Sequence, residues 1–214
     1  ISYDTQEFSR DHWFLDQSFR EDEIYGQVMA NWDAAEDHKF ALGVEASYEE
    51  FGRDSYTYNA PTELPSPWST NMYSVLGEYQ WDINEQWLMI LGGRYDQHSY
   101  SDEMLSPRGA LIYKVNKRDT LKFLVSQSQR TNNATEMRNT YLDSGSNSAT
   151  EEITNYEIRW EREHSKNLFW GLSTYYHDME LLAYNENESS STIVGEQSIF
   201  GADLEVKYTT EQLQ

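Results

Sequence analysis

Residues 40–48 read FALGVEASY and residues 200–208 read FGADLEVKY. In the first stretch Phe40, Leu42, Val44, Ala46 and Tyr48 alternate with Ala41, Gly43, Glu45 and Ser47. In the second, Phe200, Ala202, Leu204, Val206 and Tyr208 alternate with Gly201, Asp203, Glu205 and Lys207. One side of each stretch is apolar and carries no charge. A period of two marks a strand whose faces meet different surroundings.

Working outward, the same pattern predicts strands over Ile24–Trp32, Tyr73–Trp81, Trp87–His98, Pro107–Val115, Leu121–Val125, Tyr156–Trp160 and Trp170–Tyr176. A weaker strand covers Ile1–Ser9, and the last runs Ile193–Tyr208. Short polar turns join some of them: Asp33–His38, Asp82–Gln86, Asn116–Asp119 and Glu163–Asn167. Other connections are long and polar: Phe51–Ser69, which holds Pro61, Pro65 and Pro67, then Thr131–Glu151 and Asn185–Thr192. In an up-and-down meander, alternating short and long connections put all short turns at one end. The expected fold is therefore all-β: an antiparallel up-and-down transmembrane β-barrel, partial, of about ten strands. Charge placement agrees with it. A Lys or Arg facing mid-bilayer costs about 2–4 kcal/mol, and one residue of slip would turn Lys122, Glu157, Arg159 and Glu161 to lipid together. A soluble barrel or sandwich, its charge-free face packed as a core, fits the same periodicity.

Bulk composition narrows the classes. The 214 residues hold 16 Lys+Arg against 37 Asp+Glu, a net charge of -21. Nucleic acid and anionic membrane surfaces both call for a basic face, so neither is an expected partner. No cysteine is present, which excludes disulfides and thiolate chemistry. No apolar run approaches the length of a transmembrane helix. Mean hydropathy is -0.82, which a barrel tolerates because half of each strand faces a wet lumen. Aromatics reach 14 %, with 7 Trp and 16 Tyr, suited to girdles at two membrane interfaces. The chain opens at Ile1 without an apolar leader and stops in mid-pattern at Gln214. It is expected to be a segment, residues 1–214, of one barrel domain in a longer protein.

Four segments resemble TonB-dependent outer-membrane receptors. Residues 84–100, NEQWLMILGGRYDQHSY, resemble that family's turn and aliphatic strand ending Gly-x-Arg-Tyr-Asp, here Gly92, Arg94, Tyr95 and Asp96. Residues 105–137 resemble its Ser-Pro-Arg strand, short turn and second strand ending in Arg, with Ser106, Pro107, Arg108, Arg130, Asn133 and Glu136 in place. The usual Phe-Arg-Ala-Pro is replaced by Gln129-Arg130-Thr131-Asn132. Residues 151–163 resemble the Pro-Glu-x-x-x-x-Tyr-Glu strand through Glu152, Asn155, Tyr156 and Glu157, with Glu151 in place of Pro. Residues 200–208 resemble a Gly-x-Glu strand, with Asp203 where Glu is commoner. The resemblance implies an outer-membrane location and uptake of a scarce nutrient such as an iron–siderophore complex. It further implies coupling to an inner-membrane energy-transducing protein through an N-terminal plug. That plug and the final strands are expected to lie outside this segment.

Enzymatic signatures are missing from the chain. Gly-x-Ser-x-Gly, P-loop and dinucleotide motifs are absent from the sequence. The histidines His12, His38, His98, His164 and His177 show no helical metal spacing, and no helix is expected. Neither catalysis nor a cofactor is expected. Residues 143–150, DSGSNSAT, lack the spacing of a calcium loop and read as a flexible loop. Asn133 and Asn187 head formal glycosylation sequons. The ligand candidates are Arg94, Arg108 and Arg130, near strand ends on the loop side, with Asp96 and His98 sharing one strand face. Guanidinium groups could capture an anionic chelate, or pair with carboxylates lining the lumen. Two further readings stay open: a soluble all-β carbohydrate-type binding module using exposed aromatics, and a secreted β-rich hydrolase.

Overall fold

The computed structural model describes residues 2–12, 15–52, 56–58, 67–185 and 190–210. Pro61, Pro65, the Asn187 sequon and the His12 side chain lie outside the described residues. Eleven strands form one sheet: β1 Ser2–His12, β2 Leu15–Ala35, β3 His38–Phe51, β4 Tyr56–Tyr58, β5 Trp68–Asp82, β6 Trp87–His98, β7 Met104–Lys114, β8 Asp119–Arg130, β9 Glu151–Ser165, β10 Leu168–Asn185 and β11 Ser190–Tyr208. Every pairing is antiparallel and, apart from β4, between neighbours in sequence. The meander is therefore as expected, and β4 adds a three-residue strand beside β2. Among the described residues the sheet does not close; β1 and β11 are its edges.

The register sorts side chains into two faces. One cross-strand row runs Val28–Val44–Val75–Tyr95, another Phe123–Ile158–Thr174–Ala202. These apolar rows face outward: Val75 is 51 % exposed, Ile158 51 % and Leu204 70 %. Among the described residues no second layer of protein covers them. The opposite face buries Ser47, Thr70, Ser74, Asp96 and Ser173. Only three apolar side chains are buried among the described residues, Phe51, Met104 and Met137, against ten polar or charged ones. The molecule is thus oily outside and polar inside, the inverse of a water-soluble protein.

Aromatic side chains bound the outward apolar band. On the short-turn side Trp32 stacks on Phe40 at 5.4 Å and Phe40 on Tyr79 at 4.8 Å, while Trp87 meets Tyr113 at 4.2 Å and Trp160 meets Trp170 at 4.5 Å. On the loop side stand Tyr48, Tyr73, Tyr95, Tyr156 and Tyr176, all exposed. From Phe40 to Tyr48 is about 26 Å along a strand. At the usual barrel tilt that is about 20 Å of height, close to the apolar band of a transmembrane barrel.

The strands outrun their apolar patterns on the loop side. β2 starts at Leu15 rather than Ile24, and β10 and β11 stay paired as far as Asn185–Ser190, so that residues 190–192 of the expected loop belong to a strand. Beyond the lipid both faces of a hairpin meet water, so pairing continues without any alternation to betray it.

Candidate functional site

The polar face is knitted by arginines. Arg94 donates from Nη1 to Glu45 Oε2 at 2.5 Å, from Nε to Asp96 Oδ1 at 2.7 Å and from Nη2 to Ser74 Oγ at 2.8 Å. Ser74 Oγ donates in turn to Asp96 Oδ1 at 2.5 Å. Arg159 repeats the arrangement on β9: Nε to Glu161 at 2.8 Å, Nη1 to Ser173 at 3.1 Å and Nη2 to Glu205 at 2.5 Å. Lys122 joins Glu161 at 2.7 Å. Each cluster follows from strand geometry. In Arg94-Tyr95-Asp96 and Arg159-Trp160-Glu161 the residues two apart share a face, so base and acid pair beneath an outward-facing aromatic. Arg20 and Asp22 form a third such pair, at 2.9 Å, on the outward face beyond the tyrosine belt. The arginine-x-acid spacing carries this signal in the sequence, and the candidate set omits it at 20–22 and 159–161.

All five candidate residues lie on the polar face. Arg94 and Arg108 are near neighbours, for Arg94 registers with Ser106 and Arg108 with Gly92. Arg108 lies across Gly92, where an added Cβ would sit 2.9 Å from its Nε, and its Nη2 reaches Glu78 at 2.6 Å. Arg130 stands further out, at the loop end of β8, and pairs with Glu151. Asp96 is buried and committed to Arg94 and Ser74. His98 shares its face but accepts at Nδ1 from the Tyr100 backbone N–H at 3.1 Å. Among the described residues no group of three or more His, Asp or Glu is arranged to hold a metal ion. The two exposed arginines differ from the first: the side chains of Arg108 and Arg130 are 63 % and 79 % accessible, that of Arg94 33 %.

The loop-side mouth of this face holds a helix where the sequence pattern predicts none. α1 spans Ala134–Ser144. Asn133 caps it, accepting from the Glu136 N–H at 2.9 Å, and Gly145 ends it in the left-handed conformation at φ 71°. Met137 is buried, Arg138 lies 5.2 Å over the Trp68 ring and Tyr141 sits 5.2 Å from Tyr100. Trp68 also stacks on Phe51 at 4.3 Å. Trp68 and Tyr100, 6.0 Å apart, join these contacts into one aromatic chain, Phe51–Trp68–Tyr100–Tyr141. Residues 143–150, expected to be flexible, are tied down: Ser148 is fully buried and bridges Ser101, donating to Tyr100 O at 2.8 Å and accepting from the Asp102 N–H at 3.0 Å. The helix lacks an apolar stripe because it is polar on most sides. Its legible signals are Asn133 three residues before Glu136, then Gly145.

Residues 2–214 match the family model described as TonB dependent receptor-like, beta-barrel. The chain belongs to this family. That membership places this TonB-dependent receptor barrel in the outer membrane, its short turns inward and its longer connections outward. No curated protein matches the sequence. Solved structures match its fold. The FrpB iron transporter from Neisseria meningitidis is 14 % identical with a TM-score of 0.73, over 91 % of this chain and 34 % of that one. The siderophore receptor PirA from Pseudomonas aeruginosa is 14 % identical with a TM-score of 0.70, over 94 % and 39 %. A copper transporter, OprC, is 18 % identical with a TM-score of 0.69, over 92 % and 37 %. At these identities the likeness is one of fold. This TonB-dependent receptor chain spans about a third of their length.

Proposed function

We propose that this chain forms part of the barrel wall of a receptor that takes up a scarce nutrient, an iron–siderophore complex or similar, across the outer membrane. The observation that carries the reading is the inverted sheet: apolar rows bare on one face, ion-paired polar side chains on the other. A soluble carbohydrate-type module would not expose so much apolar surface. In the proposed mechanism the outer connections capture the cargo, and an inner-membrane energy-transducing protein drives it inward through a plug that lies outside this segment. No covalent chemistry is involved. The neighbours support a metal-linked cargo, since their descriptions name iron, siderophores and copper.

Within the candidate set, Arg108 and Arg130 are the better ligand contacts. Exposed ion pairs are worth about 0–1 kcal/mol, so an anionic chelate displaces Glu78 from Arg108 at little cost, while Arg130 offers its accessible guanidinium beside a Glu151 side chain that is only 15 % accessible. Arg94 and Asp96 are locked in a partly buried network and serve the wall. The test uses iron-starved cells carrying the intact receptor, supplied with radiolabelled ferric catecholate, hydroxamate and carboxylate chelates. At least one should enter, and its uptake should vanish when the inner-membrane energy-transducing protein is deleted. Uptake no greater than in receptor-less cells for all three overturns the iron–siderophore cargo.

A further inference from the structure

The net charge of -21 conceals a sorted distribution. All six lysines, Lys39, Lys114, Lys117, Lys122, Lys166 and Lys207, lie in the short-turn half of the wall. Along that rim the sign of charge then divides. Turns 36–37 and 83–86 carry Glu36, Asp37 and Glu85, whereas turns 115–118 and 166–167 carry Lys117, Arg118 and Lys166, all exposed. The two basic turns adjoin, for the Glu163 N–H donates to Arg118 O at 2.9 Å. Beside them, on the outward face, Arg162 shares a cross-strand row with Asp119, Trp170 and Val206. Asp119 is buried and organises the spot. Its Oδ1 accepts from Trp160 Nε1 at 3.2 Å and pairs with Arg162 Nη1 at 3.6 Å, while its Oδ2 accepts from Asn116 Nδ2 at 2.8 Å. Asn116 Oδ1 in turn accepts from the backbone N–H groups of Arg118 at 2.8 Å and Asp119 at 3.1 Å, which fixes the turn.

We propose that Lys117, Arg118, Arg162 and Lys166 form a binding site for the phosphate of an anionic phospholipid in the inner leaflet of the outer membrane. Three observations select that occupant. The first is charge: four cations stand around one shielded carboxylate, Asp119, while Glu163 lies on the polar face in a row with Phe169 and Lys207. The second is position. Arg162 lies one row nearer the turns than Trp160 on the lipid-facing side, so a headgroup bound there keeps its acyl chains on the belt. The third is order. Asp119 already orients the Arg162 guanidinium and Asn116 the turn, so binding a phosphate leaves little to be immobilised. Turns 36–37 and 83–86 offer the same depth with the opposite sign, so the site is one sector of the rim and not a property of the whole wall. The proposal rests on the belt facing lipid and is independent of the transported cargo.

The test is native mass spectrometry of the full-length receptor in mild detergent, with phosphatidylglycerol and phosphatidylethanolamine of identical acyl chains added in equal amounts. Wild type should retain phosphatidylglycerol preferentially, and the preference should shrink as salt is raised. Lys117→Gln and Arg118→Gln should each lower that retention by about fivefold, and by about 25-fold together. Lys39→Gln removes a cation from the acidic sector of the same rim and should keep the wild-type preference. Equal retention of the two lipids by wild type overturns the site. So does a double variant that keeps the preference, or a Lys39→Gln loss as large as that of either patch variant. Should the double variant fail to fold, a density map of the wild-type receptor in phosphatidylglycerol nanodiscs decides. Headgroup density within hydrogen-bond reach of Arg118 and Arg162 supports the site, and its absence sinks it.

Discussion

At the scale of single residues, the inner wall is held by a few arginines that each serve several acceptors. Arg94 satisfies two carboxylates whose side chains are mostly shielded, Glu45 and Asp96. Removing it leaves both without their cation, Asp96 with Ser74 and Glu45 with Gln27 as neutral donors. Loss of one partner from a fully buried pair costs about 3–5 kcal/mol; Arg94 is a third exposed, so Arg94→Ala should cost about 2–3 kcal/mol once solvent screening is allowed for. Arg108→Ala, breaking an accessible pair, should cost under about 1 kcal/mol. Urea titration of the folded barrel in lipid vesicles measures both, and equal losses would contradict the wall-versus-surface distinction. The packing around α1 gives a second residue-scale expectation. Trp68→Ala removes the platform under Arg138 and the partner of Phe51, so hydrogen exchange at 134–144 should quicken while the β8–β9 ladder stays protected. Part of the wall is legible in the sequence. The Arg94-Tyr95-Asp96 spacing places base and acid on one face, whereas the partner strands that bring Ser74 and Glu45 depend on register, which no single segment encodes.

At the scale of elements, each strand is a device for holding two environments apart. Ile158 stands between Tyr156 and Trp160 on the bare face of β9, near mid-depth. Ile158→Arg should therefore destabilise the barrel by about 2–4 kcal/mol, in the range for a cation at the bilayer midplane. Glu157→Gln, on the wet face of the same strand, should change stability by under about 0.5 kcal/mol. Comparable losses for the two would mean the faces were assigned the wrong way round. Strands such as Phe40–Tyr48 can be read from sequence because lipid and water impose opposite demands on alternate residues. The upper reaches of β2 and β10 cannot, since water on both sides imposes none. Helix α1 is hidden for a related reason. It is fixed by Asn133, Gly145 and a few side chains of the mouth rather than by an apolar stripe.

At the scale of the whole molecule, the bare belt dictates the solvent. Transferred to plain buffer the protein should associate through that belt, and in detergent or lipid vesicles it should be monodisperse with a β-rich circular dichroism spectrum. Sedimentation in the two media checks this; a monodisperse species without detergent would refute the lipid-facing assignment. The fold class is legible from the sequence at this scale because several weak patterns agree, and the cargo is not, because the wall alone encodes position and charge. The two outermost strands carry a further consequence. β1 and β11 each present a ladder of amide and carbonyl groups that nothing among the described residues satisfies. Produced in isolation, one copy could dock its β11 rim onto the β1 rim of the next. Head-to-tail addition of this kind closes into rings only if the curvature permits and otherwise grows into filaments, so the segment by itself is a seed for polymerisation.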